Sequence, residues 1–281
     1  MDNQIADLST GWCQRWNERQ HSWRHRSEGG FDAARYEVLP VTTPVAKAYV
    51  ERHHYSASYP ADKLRFGLFD REAAALVGVA VLSVPSQAKV LTGPFPYLEP
   101  YVESLELGRL VLADSVPSNA ETWMLRKVFD MAADCGVRGV VSFSDPVARK
   151  AQDGSIVMPG HVGIIYQASN AQYTGRGTAR SLTLLPDGTV LSPRAMQKIR
   201  SGEKGSEYVA RQLVGFGAPE MSGDRTRWMH AALATIGART FRHPGNHRFI
   251  FKLGRDRREQ RQVLCPLPSL AYPKRADLVS A

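Results

Sequence analysis

Cysteine is scarce. Cys13, Cys135 and Cys265 are the three in 281 residues, too few and too scattered for a disulfide framework or a four-thiolate zinc site. No run approaches the roughly 20 apolar residues of a membrane span, and the first 30 residues are polar and basic without an apolar signal core. A cytoplasmic protein with no membrane contact is the expectation. There is no G-x-G-x-x-G run, which removes the usual dinucleotide signature. Acidic residues are outnumbered, 27 against 36 Lys+Arg, for a net charge of +9. The excess is concentrated, since residues 239–275 hold ten Lys/Arg and two acidic residues. Such a cluster fits a polyanion through counterion release, and equally a solvated basic surface. With 43% hydrophobic residues the chain can bury a sizeable core.

Three parts are expected: a Trp/Arg-rich extension over 1–34, a main domain over 35–254, and a basic, mobile tail over 255–281. In the extension Trp12 and Trp16 are spaced for one face of a short amphipathic helix, with Arg15 and Arg19 between and beyond them. Those tryptophans either pack the helix onto its own domain or stack on bases. Beyond it the pattern predicts a strand at 36–39, a helix over 44–53 with Pro44 in its first turn, and a strand hairpin over 64–84. A strong strand follows at 104–114. The loop SVPSNAE leads into a helix with Leu125, Val128, Phe129 and Ala132 on one face, which stops at Gly136. The nearly continuous apolar run 137–146 then reads as a buried parallel strand. A hairpin around Pro186-Asp187-Gly188, helices into Arg200 and near 206–214 and 225–236, and a strand at 247–253 complete the pattern. The class is α/β with a mixed central sheet flanked by helices.

The loop between the 104–114 strand and the following helix presents helix N-terminal N–H groups, with Ser118 and Asn119 as side-chain donors, so an anion could sit there, although the loop taken by itself reads first as a plain helix cap. Arg109, mid-strand, is costly to bury unpaired, so it faces a site or pairs with Glu106. His243 and His247 are spaced for a helical metal pair, but Pro244-Gly245 between them forbids the helix. With Arg239, Arg242 and Arg248 nearby, that segment suits phosphate contacts better.

The order of elements resembles the GNAT acyltransferase fold, in which the loop equivalent to 113–120 holds the pyrophosphate of coenzyme A. The sequence ADSVPSNAE departs from that family's glutamine/arginine and glycine-rich loop. More specifically, the segments HHYSAS (53–58), LELGRLVLAD (105–114), SFSDP (142–146), GHVGIIYQASNAQYTG (160–175) and HPGNHRFIFKL (243–253) resemble the Mom family of phage DNA-modification proteins, over about residues 36–254. The resemblance implies a GNAT-like enzyme that places a carbamoylmethyl group on the exocyclic amine of adenine in double-stranded DNA, protecting phage DNA from host restriction. It implies acetyl-CoA or a related donor, contacted by Arg109, Leu110, Val111, Ser118 and Asn119. Because carbamoylmethyl joins nitrogen to a methylene carbon, a metal step is also implied, with iron(II) on His54, Asp145 and His161. The expected catalytic residues are His54, Asp145 and Tyr166. A base taken out of the duplex needs aromatic faces and polar readers, for which Tyr55, Tyr166, Tyr173, Ser56, Gln167 and Asn170 are the candidates, with Arg242 and Arg248 on phosphates. The rival readings are a GNAT N-acyltransferase acting on a small-molecule or protein amine, and a DNA-binding protein on an inactive acyltransferase scaffold. Oligomeric state stays open, a homodimer included.

Overall fold

The computed structural model describes residues 12–18, 20–56 and 58–280. In chain order the elements are β1 (Trp12–Asn17), β2 (Gln20–His25), β3 (Tyr36–Pro40), α1 (Thr43–His53), β4 (Asp62–Asp70), β5 (Ala75–Ser83), α2 (Lys89–Thr92) and β6 (Ser104–Leu112). There follow α3 (Ala120–Asp134), β7 (Gly139–Ser144), β8 (Val147–Lys150), β9 (Ile156–Met158), α4 (Ile164–Ala168), β10 (Gln172–Arg176), β11 (Arg180–Leu184) and β12 (Val190–Leu191). The last are α5 (Pro193–Ser201), α6 (Ser206–Gly215), α7 (Arg225–Thr235), β13 (Arg239–His243), β14 (His247–Lys252), α8 (Arg257–Gln262) and β15 (Val279–Ser280). The chain divides into two compact units rather than the single domain expected over 35–254. The first takes the described residues up to Asp145, then 161–176 and 246–277; the second takes 146–160, 177–245 and 278 onward.

The first unit is built on a seven-stranded mixed sheet of order β10-β14-β7-β6-β5-β4-β3. All neighbours are antiparallel except β6 and β7, the strands that flank α3 in sequence. Strand alternation sends side chains to both faces. Along β5, Ala80 and Leu82 meet Met124, Leu125 and Val128 of α3, while Val79 and Val81 meet Ala46 and Val50 of α1. Each such fully buried aliphatic side chain contributes about 1.5–3 kcal/mol by burial. Pro44 sits in the first turn of α1, and Gly136, at φ 91°, follows the end of α3. The α/β class with a mixed sheet flanked by helices is therefore the fold.

The second unit has its own core, in which Leu185, Leu191, Ile199, Leu213, Trp228 and Met229 are buried together. A three-stranded sheet of order β12-β11-β13 accompanies α5, α6 and α7 there. The side chain of Ser192 caps α5 by accepting from the Ala195 N–H.

Two expectations need correction. The Trp/Arg-rich extension is an antiparallel hairpin, β1–β2, and not a helix. Spacing of i,i+4 puts two residues on one side of a helix and equally on one face of a strand, so it could not discriminate. The side chain of Trp12 lies outside the described residues. The supposed mobile tail carries α8, whose Asp256 side chain accepts from the N–H groups of Arg258 and Glu259. It then runs beside the sheet's outer strand β10: Leu270 N–H donates to the Tyr173 carbonyl at 2.9 Å, and Gln172 Nε2 donates to the Leu267 carbonyl at 3.1 Å. The first of these bonds covers a backbone carbonyl that an edge strand would otherwise expose.

Candidate functional site

Strands β6 and β7 pair over only three residues each, Ser104–Glu106 with Gly139–Val141. Past that point β6 stays with β5 as far as Leu112, and β7 stays with β14 as far as Ser144, so the two parallel strands part company. A cavity of about 270 Å³ opens at the parting, lined by Glu106–Leu110 from β6, by Phe143 from β7 and by Asp145 just past its end. That is at the lower end of ligand pockets, which run roughly 300–1,000 Å³, and suits a group of the size of one base or a short acyl chain. A β-bulge shapes its β6 wall. Val81 pairs with Arg109 and Leu82 with Leu107, leaving Gly108 as the extra residue, and such a bulge re-aims the side chain beside it.

Three further segments bring side chains to the cavity. His54 leaves the C-terminus of α1, its N–H still bonded to the Val50 carbonyl at 2.9 Å. His161 donates its N–H to the Asp145 carbonyl at 2.8 Å, and both residues line the cavity. Gly163, at φ 73°, begins α4 with its Cα against the Phe249 ring. Tyr166 in α4 stacks at a tilt on Phe249, 5.4 Å between ring centres, and still reaches the cavity. Trp16 and Tyr55 close another side, their rings 4.6 Å apart, with His54 and Tyr55 at 4.2 Å.

Electrostatics assign these groups different capacities. His54 is buried, at 8% exposure. Burial first, then the charges of Arg109 and His161, depress it to about 3, so it is neutral at neutral pH. Its Nδ1 accepts from the Ser56 N–H at 3.2 Å, with the Ser56 hydroxyl at 2.9 Å. A neutral imidazole that accepts at Nδ1 carries its proton on Nε2. His54 is thus a hydrogen-bond donor and offers no lone pair there. Burial also lowers His161, against the opposing pull of Asp145. Glu106 is raised by burial, with Arg109 acting in the other direction. The Tyr166 phenol is pushed up to about 12 by burial. Arg109 is anchored on the segment after α1: Nε donates to the Ser58 carbonyl at 3.1 Å and Nη2 to its hydroxyl at 2.9 Å.

Of the residues singled out in sequence, His54, Tyr55, Arg109, Leu110, Asp145, His161 and Tyr166 converge on this cavity. Ser56 stands behind it as the partner of His54. Val111 is buried in the sheet. Tyr173 is buried and bonds through its hydroxyl to His247 Nδ1 at 2.8 Å. Gln167 donates to the carbonyls of Val162 and Pro273, so its amide is taken by backbone. Asn170 is exposed in a left-handed turn after α4, at φ 58°. Arg248 is bound to Thr174, Nε to hydroxyl at 2.8 Å, and Arg242 is an exposed residue of the second unit. Ser118 is buried with no partner for its hydroxyl among the described residues, and Asn119 begins α3 in a left-handed conformation without a side-chain cap.

The iron set finds no support: no three His, Cys, Asp or Glu side chains among the described residues converge as metal ligands. Asn246 also lines the cavity and was not singled out in sequence, whereas Trp16 entered there as a residue that packs or stacks on bases and Glu106 as a partner for Arg109. Nothing in the sequence could show that the opening hairpin reaches the site. No helix among the described residues is long and apolar enough to cross a membrane.

Residues 35–274 match the family model described as Mom protein family. No curated protein matches the chain. Among solved structures, a spermidine N-acetyltransferase variant from Vibrio cholerae is 8% identical with a TM-score of 0.32, over 57% of this chain and 88% of that one. A ribosomal-protein alanine acetyltransferase from Vibrio fischeri is 11% identical, TM-score 0.35, over 58% and 91%. A tandem GNAT protein from clavulanic acid biosynthesis is 10% identical, TM-score 0.32, over 79% and 75%.

Proposed function

The chain belongs to the Mom protein family, and on that footing we propose that it modifies DNA, placing a carbamoylmethyl group on the exocyclic amine of adenine, with the base turned out of the duplex into the cavity between β6 and β7. The observation that carries this reading is the convergence there of two carboxylates, two uncharged histidines, a tyrosine and a pair of aromatic faces. Proton acceptors, donors and a stacking surface are what work on a weakly nucleophilic ring amine requires.

An acyl-CoA donor suits the β6 side. Beyond Glu106 the edge of β6 that faces β7 has no ladder partner among the described residues, which leaves room for an extended amide arm, with the Gly108 carbonyl already accepting from Arg109 Nη1 at 2.6 Å. Such a donor would supply the two carbons as a thioester; joining its methyl carbon to the adenine nitrogen and its carbonyl to an amide nitrogen requires in addition a two-electron oxidant and an ammonia-level nitrogen donor, with CoA thiol as the leaving group. Burial matches Glu106 to proton transfer near neutral pH better than an ordinary carboxylate. Asp145 presents a second carboxylate from the end of β7, beside His161. His54 donates from Nε2 to an acceptor atom of the substrate, and Arg109 holds negative charge near Glu106. The rims formed by Trp16, Tyr55 and Tyr166 exclude water.

Mass spectrometry of nucleosides from cells making this protein or its Asp145→Asn variant tests the reading. A deoxyadenosine heavier by one carbamoylmethyl group, absent with the variant, is the expected result. Unmodified DNA beside folded wild-type protein would overturn it, and turnover of acetyl-CoA on small-molecule or protein amines would then establish the acyltransferase reading.

A further inference from the structure

The hairpin β1–β2 lies before the residues that match the family, which begin at 35, yet it is built into the site. It forms a two-stranded sheet of its own, and an isolated hairpin is marginally stable in water, so its position depends on docking. Arg15, 3% exposed, is the bolt. Its Nε donates to Glu121 Oε1 at 2.8 Å, and its Nη atoms donate to the carbonyls of Ala113, Val116 and Pro117. Two outer pins add to it: Ser22 Oγ donates to Asp114 at 2.5 Å, and Arg52 bonds Glu18 at 2.9 Å. Alternation along the strand turns the next residue the other way. That residue is Trp16, which lines the cavity against Tyr55.

We propose that Trp16 is a substrate-positioning residue: packed at a 43° tilt on Tyr55, it presents the aromatic face on which a planar purine stacks, and Arg15 holds it in place. The identity of the purine as adenine rests on the proposed function; the face itself rests on the hairpin geometry. A stacking role and a packing role separate by side chain. Phe keeps an aromatic face, whereas Leu and Met keep apolar bulk without one.

The test measures, by fluorescence anisotropy, binding of two single strands of one sequence, the first with one central adenine and the second with an abasic site there. A single strand removes the cost of unpairing, and the ratio of the two affinities cancels the common phosphate contribution. Base–aromatic stacking predicts about a tenfold preference of the wild type for the adenine strand. Trp16→Phe keeps most of it, and Trp16→Leu and Trp16→Met bring it near one, with thermal midpoints compared to confirm folding. If the Leu and Met variants retain the wild-type ratio, Trp16 only packs and the proposal falls while the adenine reading stands. A wild-type protein that does not distinguish the two strands overturns the adenine reading and the stacking role together, an outcome distinct from the first.

Discussion

Burial of His54 and His247 ties this fold to pH. Removal from water depresses His54 to about 3 and His247 to about 4, against an ordinary 6.5. His247, 1% exposed, bonds the Tyr173 hydroxyl through Nδ1 and leaves Nε2 buried without a partner among the described residues. The unfolded chain takes up both protons as pH falls through about 6.5, while the folded chain resists until about 4 and then 3. Stability is therefore complete above about pH 6.5 and drains away as pH falls through that window, by an amount on the order of a few kcal/mol. Urea unfolding between about pH 4.5 and pH 7.5 checks the slope. His54→Gln, which has nothing to titrate, flattens it; an unchanged slope in that variant would show that His54 is not a source.

At the scale of elements the decisive feature is the parting of β6 from β7, and the bulge at Gly108 sharpens it. A Cβ at Gly108 would collide with the Ser83 side chain and stand 3.3 Å from Pro60 Cγ. Gly108→Ala should therefore destabilise by about 1–3 kcal/mol, the usual cost of overpacking, and disturb the aim of Arg109. Adding Ser83→Ala removes the nearest obstacle, so the double variant should recover part of the loss in thermal unfolding and in nucleoside modification alike. A Gly108→Ala protein as stable and active as wild type would show that the bulge has room to spare. Gly139, where a Cβ would meet the Phe95 ring at 2.7 Å, marks the opposite end of the parallel pairing, at which β6 and β7 are held together.

For the molecule as a whole the basic excess predicts a salt law. Within the 239–275 segment Arg255 is paired with Glu259 and Arg248 is bonded to Thr174, and the chain as a whole stands at +9. If about six cations neutralise phosphates, the log–log slope of duplex affinity on salt is about −5, a loss of roughly a thousandfold between 50 and 200 mM. Anisotropy titrations at several salt concentrations read it directly, and a slope near zero would assign the charge to solubility alone.

Apart from the short α2, the strands and helices from Tyr36 to Ser144 were legible because their patterns are local. Alternation in β4 and β5, the apolar stripe of α3 and the continuous run of β7 each follow from how one element meets a core. So were the hairpin at Asp187-Gly188 and the capped start of α5. The sequence also marked His54, Arg109, Asp145, His161 and Tyr166, through segments whose resemblance to a family named them before any geometry did. What it could not carry was distance between remote segments. The insertion of a second unit, the hairpin form of the Trp/Arg stretch, the tail fastened along β10 and the amide of Gln167 taken by backbone all depend on partners far along the chain. Whether a side chain faces a cavity or fills a core is decided by what the folded chain places opposite it, and tertiary packing alone turned Tyr173 inward and brought Trp16 and Glu106 into one site.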